Sequence, residues 1–144
     1  MRRFFKKGGP EPQAESGGGQ SGRDKTILIV DDSPTETHIL KGILERGGYR
    51  VITAENGEAG VSSAIEHTPD LILMDVVMPG LNGFQATREL SRSPETADIP
   101  IIMVSTKGQE TDRAWGLRQG ARDYVVKPVS PKDLLNKISV VLDA

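Results

Sequence analysis

Short, unbroken apolar runs recur along this chain, separated by longer amphipathic segments, and that alternation admits few folds. ILIV (Ile27–Val30), LILM (Leu71–Met74), IIMV (Ile101–Val104) and YVV (Tyr124–Val126) show no polar interruption. A strand with one wet face alternates polar and apolar residues, so continuous runs of this length belong to strands covered on both faces. Helices must then lie between consecutive strands, as in βαβ units of a parallel sheet. Crossovers of one hand place those helices on both sides. The expected class is α/β: a five-stranded parallel sheet with five helices.

The signals between the runs support five of each. Ser33-Pro34-Thr35-Glu36 opens a first helix, with Ser as N-cap, Pro in the first turn and Glu three residues after the cap. Ile39, Leu40, Ile43 and Leu44 keep helical spacing, and Gly47-Gly48 ends the segment. Arg50–Ala54 is a second strand, and Asn56-Gly57 opens a helix running to about Glu66. Asp70–Met74 is the third strand, followed by the loop MPGLNG and a helix over about Phe84–Arg92. Pro100 introduces the fourth strand, and a helix over Gln109–Arg118 closes at Gly120. Asp123–Val126 is the fifth strand and Ser130–Leu142 the last helix. On the fourth helix Trp115 lies one position off an apolar stripe from Ala114 to Leu117, which leaves two readings open: a partly exposed partner anchor or a half-packed core residue.

Each apolar run stops at a polar residue of a different kind: Asp31-Asp32, Asp75, Ser105-Thr106 and Lys127-Pro128. In a parallel sheet these residues share one edge, the crevice where open α/β sheets bind ligands. Three carboxylates, a hydroxyl and an ammonium are suited to handling Mg2+ and a phosphoryl group.

Bulk properties narrow the rest. Once part of the N-terminus is discounted, the 144 residues form one domain of about 120 residues. Absence of cysteine removes thiolate chemistry and Cys-zinc sites, and a net charge of −2 argues against nucleic acid as a partner. No apolar stretch approaches the roughly 18 residues of a membrane span. No apolar core follows MRRFFKK as a secretory signal requires. A cytoplasmic location is expected. Residues 1–25 form an extension in which GGPEPQAESGGGQSG has the composition of a flexible linker. Its basic-aromatic head, Arg2, Arg3, Phe4, Phe5, Lys6 and Lys7, offers at most a weak contact with an anionic membrane. Residues 26–144 carry the folded domain.

From about Lys25 to Ala144 these motifs and their spacing, 44 residues from Asp31 to Asp75 and 52 from Asp75 to Lys127, resemble the CheY-like receiver domain of bacterial response regulators. VDDSPTETH, LMDVVMPGLNGFQATR, KGQETDRAWG and QGARDY are closer still to the single-domain PilG/PilH-type receivers of the chemotaxis-like system behind type IV pilus twitching motility. The resemblance implies strand order 2-1-3-4-5, phosphorylation on Asp75 by a CheA-like histidine kinase, and Mg2+ as cofactor. It implies that Asp32, Asp75 and the backbone carbonyl of Val77 bind the ion, with Asp31 acting through water. Lys127, ahead of a cis Pro128, supplies countercharge to the phosphoryl oxygens. Ser105 carries the switch, Tyr124 follows it inward, and the surface of the fourth helix, fifth strand and fifth helix changes. Thr106 lines the entrance, and Val77 and Lys107 tune hydrolysis of the acyl phosphate. The output partner is expected among the pilus motor machinery, or the chain drains phosphoryl groups from the shared kinase, or it binds partners without phosphorylation. Beyond accepting and losing its own phosphate, it is not expected to be an enzyme.

Two rivals share parts of this pattern. A hydrolase with an Asp nucleophile needs a general acid two residues later, where Val77 stands. A flavodoxin-type binder needs a Ser/Thr-rich phosphate loop after the first strand, where two aspartates would repel bare phosphate. His38 and His67 lack the spacing of a metal-ligand pair and receive no role.

Overall fold

A strand sends successive side chains to opposite faces, and here both faces are buried. The computed structural model describes residues 24–143; the extension's linker and head lie outside the described residues, apart from its last two positions. The strands are β1 (Thr26–Val30), β2 (Arg50–Ala54), β3 (Leu71–Met74), β4 (Ile101–Ser105) and β5 (Asp123–Val126). All pair in parallel in the order β2-β1-β3-β4-β5, as expected. Five helices connect or follow them: α1 (Pro34–Arg46), α2 (Gly57–His67), α3 (Gly83–Arg92), α4 (Glu110–Gln119) and α5 (Pro131–Asp143).

Alternation divides the core in two. Leu28, Val30, Ile72, Met74, Ile101 and Met103 face one layer, where Ala64 of α2 and Ala86 and Leu90 of α3 pack. Ile27, Ile29, Leu71, Leu73, Ile102 and Val104 face the other, against Leu40, Ile43 and Leu44 of α1 and Leu134 and Ile138 of α5. Each fully buried aliphatic side chain contributes about 1.5–3 kcal/mol, which fixes the register that brings the strand ends level.

The caps agree with the sequence signals. Ser33 Oγ accepts the Glu36 N–H at 3.2 Å, and Asn56 Oδ1 accepts that of Ala59 at 2.7 Å. Asn82 and Gln85 form a reciprocal pair at 2.9 Å each, starting α3 one residue before the expected Phe84. The fourth helix is a correction of substance. The expected stripe of Ala114 and Leu117 faces outward, and α4 buries Gly116 and Gln119 instead. A Cβ on Gly116 would meet Met103 Sδ at 2.8 Å and the Tyr124 ring at 3.2 Å, so the glycine itself lets the helix sit down on the sheet. Among the described residues, no helix is long and apolar enough to cross a membrane.

Candidate functional site

The sheet ladder continues just beyond the strands and thereby aims the site. Asp31 N–H donates to Ala54 O at 3.1 Å, Asp75 N–H to Val30 O at 2.9 Å, and Lys127 N–H to Ser105 O at 2.8 Å. The residue that follows each run is therefore held in sheet-like register at the carboxyl edge. Asp31 is 3% exposed and Asp75 8%, whereas Asp32 is open to solvent. Carboxylate oxygens of Asp31, Asp32 and Asp75 all lie within 4.8 Å of one another.

Lys127 reaches back across the edge to this group. Its Nζ stands 3.0 Å from Asp31 Oδ2, 3.7 Å from Asp75 Oδ1 and 3.7 Å from Glu36 Oε1. The peptide bond between Lys127 and Pro128 is cis. Asp31 also accepts the Ser33 N–H on Oδ1 at 2.9 Å, so one carboxylate serves both the lysine and the turn into α1. Asp75 Oδ1 accepts the Val76 N–H at 2.9 Å. Behind Asp75 the backbone is crowded: a Cβ on Gly83 would stand 1.9 Å from Asp75 O. The glycine allows the start of α3 to lie against the loop that follows β3, with Gly83 N–H donating to Val76 O at 2.9 Å.

Electrostatically the site is short of positive charge. Burial, then the negative charge of Asp31, pushes the Asp75 carboxyl up to about 6 against the pull of Lys127 and the Val76 N–H, with Asp32 adding to the rise. For Lys127, burial acts to lower the ammonium's pKa, but the hydrogen bond to Asp31 and the charges of Asp75, Asp31 and Glu36 outweigh it and leave it raised. A buried carboxyl whose ionisation is opposed by a neighbouring acid favours a hard cation with oxygen ligands. Asp31, Asp32 and Asp75 fit Mg2+ by donor type and by spacing.

The second group of expected residues stands around the fourth strand's end. Ser105 is fully buried. Its Oγ accepts the Lys107 N–H at 3.1 Å, while the Tyr124 hydroxyl donates to the Lys107 carbonyl. Tyr124 is 3% exposed, so its ring is already inward. Burial first, with Asp112 and Asp75 adding, holds the Tyr124 hydroxyl above its ordinary range, while the nearby Ser105 hydroxyl acts to lower it. Thr106 and Lys107 are exposed. Val77 is 59% exposed, and it lines a shallow hollow of about 250 Å³ with Val76, Met78, Asn82, Phe84 and Lys107. Trp115 is 44% exposed with the Arg118 guanidinium 5.9 Å from its ring.

The sequence reading did not place Glu36 at the site. Its position three residues after Ser33 signals a capping box, and the backbone half of that motif is present. The carboxylate, however, turns to Lys127. His38 borders the groove that runs from Asp31 and Asp32 between α1 and α2, and His67 lies beside Glu66, each apart from the acid cluster.

An acidic edge with a lysine facing it, on a sheet of this order, defines a class, and comparison with known proteins agrees. The chain belongs to the response regulator receiver domain family, whose profile matches residues 27–139. Among curated relatives, PilH of Pseudomonas aeruginosa is 60% identical over 116 residues, covering 81% of this chain and 96% of that one. Chemotaxis protein CheY4 of Vibrio cholerae superposes with a TM-score of 0.77 at 30% identity, over 81% of this chain and 98% of its own. The receiver domain of a Pseudomonas aeruginosa sensor histidine kinase superposes with a TM-score of 0.78 at 32% identity, over 83% of this chain and 98% of its own. That domain was solved with a magnesium ion coordinated in its active-site cleft.

Proposed function

We propose that this receiver accepts a phosphoryl group on Asp75 from the phosphohistidine of a CheA-like histidine kinase and thereby controls type IV pilus twitching motility. The observation that carries the reading is the arrangement of three carboxylates within 4.8 Å with Lys127 Nζ 3.7 Å from the buried Asp75. Asp75 supplies the nucleophilic oxygen: an O–P bond forms as the donor's N–P bond breaks, and the departing imidazole keeps the bond's electron pair and takes a proton from solvent. Asp32, Asp75 and the Val77 carbonyl would hold Mg2+, with Asp31 acting through water, and the ion would supply positive charge to offset that on the transferring phosphoryl oxygens. Lys127 holds the opposite side of the phosphoryl group as a point charge. Water attack at phosphorus later breaks the Asp75 O–P bond, releases inorganic phosphate and returns the carboxylate, so the chain turns over only its own phosphate. While Asp75 carries the phosphoryl group, Ser105 turns its hydroxyl from Lys107 to a phosphoryl oxygen, and the α4–β5–α5 surface passes the change to an output partner in the pilus motor machinery. The 60% identity to PilH supports the pilus assignment.

A second reading, a binding module that works without phosphate, draws on one feature: Tyr124 is buried with its hydroxyl donating to the Lys107 carbonyl. Intact mass after incubation with acetyl phosphate separates the two. A single phosphoryl adduct that needs Mg2+ and disappears in Asp75→Ala supports the receiver. No adduct from acetyl phosphate or from a CheA-like kinase supports the binding module.

A further inference from the structure

Lys127 has three carboxylate neighbours, and only two of them belong to the acid cluster. Asp31 and Asp75, at 3.0 and 3.7 Å, are cluster members; Glu36, also at 3.7 Å, is not. A divalent cation entering the cluster competes with the ammonium for Asp31 and Asp75, and the two positive centres repel each other over a few ångströms. Lys127 must therefore loosen its hold on the pair as the ion arrives. An ammonium with 10% of its side chain exposed cannot simply be left without a counterion. Glu36 provides one. Its backbone is fixed on the first turn of α1 by the Ser33 cap, and its side chain is 40% exposed, so the carboxylate can follow the lysine while staying partly in water.

We propose that Glu36 is a positioning residue for Lys127: it takes over the ammonium when a divalent cation occupies the acid cluster, and so makes room for the ion. The inference rests on the acid cluster binding Mg2+. The Glu36–Lys127 pair is then stronger with the ion bound than without it, and by linkage Glu36 favours Mg2+ binding through Lys127 as well as through its own charge.

The test is a double-mutant cycle read as Mg2+ affinity by calorimetry, on the full chain without any phosphodonor. Glu36→Gln is compared with wild type, and again in a Lys127→Met background, which retains an apolar stem of similar length. The direct attraction between Glu36 and the ion is present in both comparisons and cancels. The proposal expects Glu36→Gln to weaken Mg2+ binding about five- to tenfold with Lys127 present and about twofold in the Lys127→Met background. Equal losses in both backgrounds, or a larger loss in Lys127→Met, overturn it. Should Lys127→Met fail to give a cooperative thermal transition, Lys127→Gln replaces it in the cycle. Wild-type protein that binds no Mg2+ overturns the metal reading itself, a result separate from an unaltered cycle.

Discussion

At the scale of single residues, the site is a compromise between folding and chemistry. Asp75 is buried beside Asp31, so its ionised form opposes folding when no cation is bound. Its carboxyl stands at about 6 in the fold against an ordinary 3.8. A carboxyl raised in this way binds its proton more tightly in the folded state. The metal-free protein therefore loses stability as pH rises from about 4 to about 6, by at most about 3 kcal/mol at about 1.4 kcal/mol per pKa unit. Asp75→Asn removes the charge and keeps the shape. It is expected to stabilise the metal-free protein by about 1–2 kcal/mol at pH 7.5 and by little at pH 4. Urea unfolding in EDTA at the two pH values measures this, and a variant less stable than wild type at pH 7.5 would refute the argument.

At the scale of elements, what the sequence discloses depends on whether a residue's role follows from its own chemistry. Strands β1, β3, β4 and β5 were legible because continuous apolar runs have one interpretation in a chain of this length, and the gathering of Asp31, Asp32, Asp75, Ser105 and Lys127 at one edge was legible because each stands at the end of such a run. Ser33, Asn56 and Gly120 marked helix ends to within about a residue. The buried face of α4 was not legible: Gly116 packs by lacking a side chain, and Gln119 is buried where its Oε1 accepts a hydrogen bond from Arg88 Nε at 2.8 Å. Neither contributes to an apolar periodicity. Glu36 was missed for a related reason, since its side-chain partner lies 91 positions away (127 minus 36). Close backbone approach is similarly invisible until the fold is known, and Gly83 is the clearest case. With 1.9 Å between its ideal Cβ position and Asp75 O, Gly83→Ala must push α3 off the loop that follows β3. The expected cost is at least about 2 kcal/mol by thermal or urea unfolding, toward the upper part of the overpacking range. Gly116→Ala meets a flexible Met103 side chain first and should cost less. The reverse order of the two would show that α3 yields more easily than the geometry allows.

At the scale of the molecule, the strand order separates the acid cluster from the face formed by α4 and β5 and then joins them through one peptide. β3 carries Asp75 at the centre of the sheet, with β1 and its acids on one side and β4 and β5 on the other. The path from Asp75 toward the β5 edge passes through Ser105, whose Oγ holds the Lys107 N–H, and through Tyr124, whose hydroxyl holds the Lys107 carbonyl. Tyr124 in turn underlies Gly116, the point where α4 meets the sheet. If Ser105 turns its hydroxyl toward a phosphoryl oxygen, the Lys107 N–H loses its partner, and the loop leading into α4 is re-formed around the remaining tie to Tyr124. Such a two-state element needs a bias of only about 1–3 kcal/mol to change the output surface. Trp115, the single tryptophan, rides on α4 and is 44% exposed, so it reports on this element without a label. Phosphorylation with acetyl phosphate and Mg2+ is expected to change Trp115 emission in the wild-type protein. Ser105→Ala should still gain one phosphoryl group by intact mass, because the acceptor, the acids and Lys127 remain, yet lose most of the emission change. An undiminished change in phosphorylated Ser105→Ala would mean that the signal reaches α4 by another route. Lys127 would then be the next candidate, since it joins the Asp75 pocket directly to the end of β5.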